Sequence, residues 1–324
     1  MVRVILVTGA GGFAGSHLLE ALVVEDVDVV AWSRPGERVP ALVRPRAARG
    51  RIRWNEVDLL DPAAVEAAGR AVRPDEVYHL AGAAHVGQSW AAVERTLAVN
   101  VLGTHHLLDT LRRCGAKPRL IVPSSAAVYG PAATPIDESM PLGPASPYAL
   151  SKLAQERLAL RAWREDGLPA IVARAFNHVG PRQSPDFVAS SFARQLAAIE
   201  AGDAGPVLRV GNLDPRRDLT DVRDTVRAYV ALARRGTPGR VYNVCSGRAV
   251  SVRELLDLML ARSGARIRLE QDPGLLRPHD APVVIGNAAR IRAETGWQAL
   301  VPLEQSVADL LDDWRRRLAA AGRS

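Results

Sequence analysis

The sequence predicts an α/β fold, a doubly wound parallel sheet with a smaller C-terminal α/β domain, and three observations carry that prediction. Short β-branched runs alternate with longer amphipathic stretches through the first half. A glycine cluster stands between the first run and the first helix, and after Arg174 the rhythm breaks into loops. Such alternation needs crossover helices on both faces of a parallel sheet.

Taken in order, strands are expected at residues 2–7, 27–32, 52–57, 76–80, 120–123 and 170–173. The helices between them are expected at 13–24, 62–71, 91–113 and 147–164. Asp61 before Pro62 and Ser146 before Pro147 each set a capping side chain ahead of a proline at the first helical position. Ser251, Val252, Arg253 and Glu254 spell a capping box. Loops are expected over 177–186 and 211–218, separated by a helix from about Val188. A helix over 221–235 and a strand at 241–244 resume the alternation, and a last helix is expected near 303–318. Residues 1–175 and 219–262 then form the sheet domain, and 176–218 and 263–324 the smaller one.

Composition narrows the function classes. The chain has 324 residues, 48% hydrophobic and 24% charged, as an ordinary globular protein does. Two cysteines, Cys114 and Cys245, are too few for a disulfide framework and point to a reducing, cytoplasmic setting. The first apolar run is short and meets glycine at once, so neither a signal peptide nor a membrane span is expected. The net charge of +7 comes from scattered arginines, densest at Arg44, Arg46, Arg49, Arg51 and Arg53, without aromatic interleaving. That pattern argues for small anions rather than nucleic acid as partners. Seven dispersed histidines offer no metal site, and adjacent His105 and His106 cannot face one site from a helix.

Thr8-Gly9-Ala10-Gly11-Gly12-Phe13-Ala14-Gly15 follows the first strand and opens the first helix. Gly9, Gly12 and Gly15 let the backbone turn, approach a pyrophosphate and pack helix on strand. The helix N-terminus offers unpaired N–H groups and a positive dipole to phosphate. In this position the pattern predicts a Rossmann-type dinucleotide site. The second strand ends in Ser33-Arg34 with no acid to hold a ribose 2′-hydroxyl. A guanidinium there suits a 2′-phosphate, so NADP(H) is favoured over NAD(H).

Tyr148 and Lys152 stand four apart on one expected helix and share a face. Lys152 is one of only two lysines, with Lys117, among 42 basic residues. An ammonium ~4 Å from a phenolate, at an effective dielectric near 20, favours the anion by roughly 4 kcal/mol. That is enough to bring a pKa of about 10 towards 7. The strand ending in Ser124-Ser125 can bring a hydroxyl to the same carbonyl oxygen. The set is what a carbonyl reductase needs, a proton donor beside a hydride donor.

The glycine loop, Ser125, Tyr148 and Lys152 together resemble the extended short-chain dehydrogenase/reductase family. Arg174-Ala175-Phe176-Asn177-His178-Val179-Gly180-Pro181, Gly211-Asn212-Leu213 leading to Arg217-Asp218, Val241-Tyr242-Asn243-Val244-Cys245-Ser246-Gly247 and Leu276-Arg277-Pro278 resemble its branch of GDP-mannose 4,6-dehydratases and GDP-4-keto-6-deoxy-mannose reductases. The resemblance implies that Asp58, Leu59, Leu80, Ala81, Gly82 and Asn100 line the cofactor, along with Phe13, Ala14, Ser33 and Arg34. It implies that Asn177, Arg194 and Arg217 contact the substrate diphosphate, that Arg277 and Asp280 hold the nucleotide ribose, and that Ser89 and Val188 lie by the substrate. It also implies a homodimer built through the helices at 91–113 and 147–164.

One departure selects the reaction. In the dehydratases of this branch, a glutamate two residues after the catalytic hydroxyl moves the C5 proton; here Ser125 is followed by Ala126 and Ala127. Elimination of water then lacks an acid–base group, whereas reduction of a 4-keto sugar needs only Ser125, Tyr148 and hydride. The expected activity is reduction of GDP-4-keto-6-deoxy-mannose to a GDP-rhamnose-type product. The alternatives are a GDP-mannose 4,6-dehydratase or nucleotide-sugar 4-epimerase on the same scaffold, or an NADP-binding sensor without catalysis.

Overall fold

The computed structural model describes residues 2–37, 39, 42, 48–132, 135–276 and 281–321. Along the first half run β1 (Arg3–Thr8), α1 (Phe13–Leu22), β2 (Val27–Ser33), β3 (Arg51–Glu56), α2 (Pro62–Val72) and β4 (Glu76–His79). Then come α3 (Val86–Ala91), α4 (Val93–Leu97), α5 (Gly103–Arg113), β5 (Arg119–Ser125), α6 (Pro147–Asp166) and β6 (Ala170–Ala175). The second half adds β7 (Asn177–Val179), α7 (Val188–Ala201), β8 (Val207–Val210), β9 (Arg216–Asp221), α8 (Val222–Arg235), β10 (Val241–Val244) and β11 (Ala249–Ser251). It ends with α9 (Val252–Leu260), β12 (Arg268–Gln271), β13 (Val283–Val284), α10 (Ala289–Thr295) and α11 (Leu303–Ala321).

Seven parallel strands make the main sheet in the order β10-β6-β5-β4-β1-β2-β3. The order reverses between β1 and β4, and at such a switch point a crevice opens beyond the carboxyl ends of the strands. Ile5, Leu6 and Val7 of β1 are fully buried, because helices cover both faces. On one face Leu18, Leu19, Val226, Tyr229 and Leu232 of α1 and α8 pack on the strands. On the other, Val65, Leu107, Leu111, Ala159 and Ala162 of α2, α5 and α6 do so.

A third core lies apart from the sheet, where Phe192, Leu196, Leu255, Met259, Leu310 and Trp314 of α7, α9 and α11 meet. This packing differs from the sequence division at two places. The α9 helix joins the smaller unit, although residues to 262 were expected with the sheet. Ile291 of α10 and Trp297 join the sheet's own core, although residues from 263 were expected outside it.

The caps form as expected: Asp61 accepts from Ala63 and Ala64, Ser146 from Ala149, and Ser251 and Glu254 close a capping box. Three expectations are revised. The single helix over 91–113 is broken by a π turn at Ala98–Leu102, which rotates Asn100 fully inward. The loops expected at 177–186 and 211–218 contain β7 and the start of β9, and β7 pairs with the end of that strand, Leu219–Asp221. Strands this short are stabilised by partners distant in sequence and leave no local period.

Candidate functional site

The glycine loop joins β1 to α1 at the switch point. Gly9 has φ of +66°, and a Cβ there would stand 2.5 Å from the Ala81 nitrogen. A Cβ on Gly15 would stand 2.2 Å from the Gly9 carbonyl oxygen. Only glycine lets the loop lie this close to Leu80–Ala81 and to its own helix. Gly12 caps α1 with no side chain of its own, and the first turn holds no acid. The amide groups there are left for a ligand, and the helix dipole favours an anion. Phe13 stacks on His178 at 5.6 Å, tying the loop to the segment after β6. These features fit the diphosphate of a nicotinamide dinucleotide. A cleft of about 740 Å³ adjoins Gly11, Gly12 and Phe13 and runs along Ser16 and His17 to Arg182 and Arg223. Neither Tyr148 nor Ser125 lines it, so it is a groove beside the loop rather than the reaction centre.

At the far end of the loop, Ser33 is buried and Arg34 is exposed, with no acid at the end of β2 itself. Leu59 is buried, its carbonyl 2.7 Å from His106 Nδ1, and exposed Asp58 accepts from the Leu60 N–H. Asn100 does more than line this region. Its side chain accepts from the Ala83 N–H and donates to the Ala83 carbonyl and to Ser151 Oγ. It thereby pins the segment after β4, Leu80, Ala81 and Gly82 included, to α6.

Ser125, at the end of β5, and Tyr148, in the first turn of α6, are brought near enough for the Ser125 hydroxyl to favour the phenolate. Ser89 is buried, donates to the Val86 carbonyl and accepts the Tyr148 N–H at 3.2 Å. Its hydroxyl therefore anchors the start of α6. Lys152 is buried, and its ammonium donates to Gln155 Oε1 at 2.5 Å. The structure reverses the expected electrostatic balance. Burial pushes the Tyr148 phenol above its ordinary value, partly offset by Ser125, with no acidifying ammonium among the causes. Burial likewise brings Lys152 down to about 8, opposed by Glu156. The Lys152 ammonium is engaged instead by Gln155, three residues on along the same helix.

Behind Lys152 runs a chain of buried partners that sequence reasoning missed. Gln155 Nε2 donates to Thr104 Oγ1, and Thr104 donates to the Asn100 carbonyl. With that hydroxyl proton spent, His79 Nε2 at 2.9 Å must donate to Thr104. His79 Nδ1 then accepts from Thr8 Oγ1 at 2.8 Å, and Thr8 accepts from the Ala81 N–H. Complete burial holds His79 neutral, its pKa lowered to about 3. The chain links Lys152 to the root of the glycine loop. A second buried set, Arg174 paired with Glu156 and lying over the Tyr129 ring, backs the same helix. Local spacing could suggest only Glu156, four residues after Lys152.

The substrate-side residues are more scattered. Asn177 and Arg194 are exposed, Val188 is 45% exposed, and Arg217 is half-buried on β9 with Nη1 donating to the Arg216 carbonyl. Arg277 and Asp280 lie outside the described residues. Asp218, beside Arg217, is buried and accepts from the Ser246, Gly247 and Gly286 N–H groups and the Ser246 hydroxyl. It ties β9 to the segments after β10 and β13, so it organises this wall. Among the described residues no group of three or more histidine, cysteine, aspartate or glutamate side chains could hold a metal ion.

Comparison with known proteins adds four findings. The family model described as GDP-mannose 4,6 dehydratase matches residues 6–310. The chain is 37% identical over 321 residues to a GDP-6-deoxy-D-mannose reductase from Pseudomonas aeruginosa, spanning 98% of this chain and 99% of that one. Among solved structures, that of RMD from Pseudomonas aeruginosa complexed with NADPH superposes with a TM-score of 0.84 at 34% identity, covering 98% and 100% of the two chains. A UDP-glucose 4-epimerase with UDP-glucose from Thermotoga maritima gives a TM-score of 0.86 at 27% identity, with coverage of 98% and 100%.

Proposed function

The chain belongs to the GDP-mannose 4,6-dehydratase family of extended short-chain dehydrogenases, and on that premise we propose that it reduces the 4-keto group of a nucleotide-linked 6-deoxyhexose with NADPH. The reaction is of the GDP-4-keto-6-deoxy-mannose to GDP-rhamnose type. The observation that carries this reading is Ala126 and Ala127 in the short helical turn directly after Ser125, which set no carboxylate beside the reacting centre. The full-length likeness to a reductase supports it.

The bound cofactor supplies hydride, and the chain supplies the rest. Gly9, Gly12, Phe13, Ala14 and Gly15 hold the diphosphate on the amide groups of α1. Ser33 and Arg34 receive the adenosine ribose and its 2′-phosphate, with Asp58, Leu59 and Leu80–Gly82 beside them. Ser125 and Tyr148 hydrogen-bond the keto oxygen, and Tyr148 gives up its proton as the oxygen becomes an alkoxide. A phenol raised by burial is fully protonated at neutral pH, which suits a proton donor. The Lys152 ammonium, set beside α6 by Gln155, holds the cofactor ribose. Asn177, Arg194 and Arg217 bind the sugar-nucleotide diphosphate, Val188 lies against the substrate, and Arg277 and Asp280 hold the nucleotide ribose.

The protein works as a homodimer in a reducing, cytoplasmic compartment. Exposed Trp90, Leu102 and Leu150 on α3, the π turn and α6 support the first statement, because these elements pack side by side. Unpaired Cys114 and Cys245 support the second. No helix among the described residues is long and apolar enough to cross a membrane.

Loss of NADPH absorbance on adding GDP-4-keto-6-deoxy-mannose, with the product identified by NMR, tests the proposal. No cofactor turnover with any 4-keto-6-deoxy nucleotide sugar overturns it.

A further inference from the structure

The adenosine end of the cleft holds a charge that the pattern Ser33-Arg34 does not reveal. Arg34-Pro35-Gly36-Glu37 forms a tight turn: the Glu37 N–H bonds the Arg34 carbonyl, and Gly36 takes φ of +70°. Proline followed by a glycine at positive φ defines a type II turn, which brings its first and fourth residues together. The Glu37 carboxylate is folded back accordingly. Oε2 accepts the Arg34 N–H at 3.1 Å, and Oε1 stands 3.6 Å from the Arg34 guanidinium. The same carboxylate lies over the glycine loop, its carbon 3.5 Å from where a Cβ on Gly11 would be. Arg34 is 65% exposed, whereas Glu37 is only 25% exposed. The acid is thus the more fixed partner, and it stands between the arginine and the loop.

We infer that Glu37 sets the choice between the two nicotinamide cofactors, acting as a fixed anion that competes with a 2′-phosphate for Arg34. A phosphate dianion placed on Arg34 meets a carboxylate within a few ångströms, and like charges at that distance repel. A free 2′-hydroxyl meets no such penalty and can donate to the same carboxylate. Arg34 and Glu37 therefore pull in opposite directions, and the pair holds the preference for the phosphorylated cofactor below what the arginine alone would give. This rests on the reading that the adenosine ribose lies against Ser33 and Arg34.

Calorimetric titration of Glu37→Gln and Arg34→Ala with NADPH and with NADH separates these ideas, with thermal melting to confirm that both variants fold. Glu37 lies on a surface turn, and Glu37→Ser provides a second substitution of the same charge. The expected result is that NADPH binds about tenfold tighter to Glu37→Gln and Glu37→Ser while NADH is unchanged or weaker, and that the gain shrinks at high salt. Arg34→Ala should weaken NADPH alone. An NADPH-to-NADH affinity ratio unchanged in both Glu37 variants, with Arg34→Ala still selective, overturns the role of Glu37 and spares the site. Arg34→Ala weakening both cofactors equally or neither, or a wild-type chain that binds neither, overturns the placement of the ribose and the inference with it.

Discussion

The two walls of the cleft are built on different terms. On the cofactor side, backbone and buried polar groups do the positioning: Gly9 and Gly15 admit approaches no side chain allows, and Asn100, Thr104, His79 and Gln155 are fully enclosed. On the side proposed for the substrate, Asn177 and Arg194 stand at exposed positions on separate segments, and one buried acid, Asp218, ties β9 to the segments after β10 and β13. The first wall is therefore enclosed and fully hydrogen-bonded, and the second presents solvent-exposed side chains. In the proposed function, chemistry common to many substrates falls to the buried wall and discrimination to the exposed one.

That contrast can be broken most decisively at Tyr148. Tyr148→Phe should cut turnover by about a thousandfold or more while leaving NADPH affinity within about twofold. Steady-state NADPH oxidation and fluorescence titration read the two effects, and substantial residual activity would remove the phenol as proton donor. Next in size is Gly15→Ala, which forces a methyl group into the Gly9 carbonyl. It should destabilise the fold by about 2–3 kcal/mol, seen as a lower melting temperature. On the opposite wall, Arg217→Ala should raise KM for the sugar nucleotide about tenfold without touching NADPH affinity or the melting temperature. An effect on cofactor binding instead would mean that the walls are not separable.

The smallest effect is in pH. Burial brings the Lys152 pKa down from its ordinary value of about 10.4 to about 8. The ammonium is present below that pH and disappears above it, so kcat for reduction should decline as pH rises through about 8. Gln155→Glu adds an anion against the ammonium and should move the decline to higher pH. A profile flat from pH 7 to 10 would exclude the lysine charge from the reaction.

How much of this was legible in the sequence follows the same divide. The glycine loop, the caps at Asp61 and Ser146 and the placing of Tyr148 and Lys152 on one helix are encoded within a few residues of each other, where helical and turn periods operate. The roles of Asn100, Thr104 and Gln155 were hidden because a π turn, not the regular helix the sequence suggests, faces Asn100 inward. The fall in the Tyr148 pKa expected from spacing fails for a physical reason: sharing a helical face does not fix where a four-carbon side chain ends, and burial opposes charge. Glu37 escaped notice because the rule for the end of the second strand looks at one position, while a turn brings an acid back from three residues further on. The β7 and β9 pairing was invisible for want of any local period.

The most direct test of the reductase account is a parallel incubation in deuterated water. With NADPH and a GDP-linked 4-keto-6-deoxyhexose, one equivalent of NADPH should disappear for each 6-deoxyhexose formed. With GDP-mannose and the oxidised cofactor, the sugar should return unchanged, without deuterium at C5. Conversion of GDP-mannose to a 4-keto product carrying deuterium, with no net consumption of cofactor, would contradict the account and assign the chain to dehydration instead.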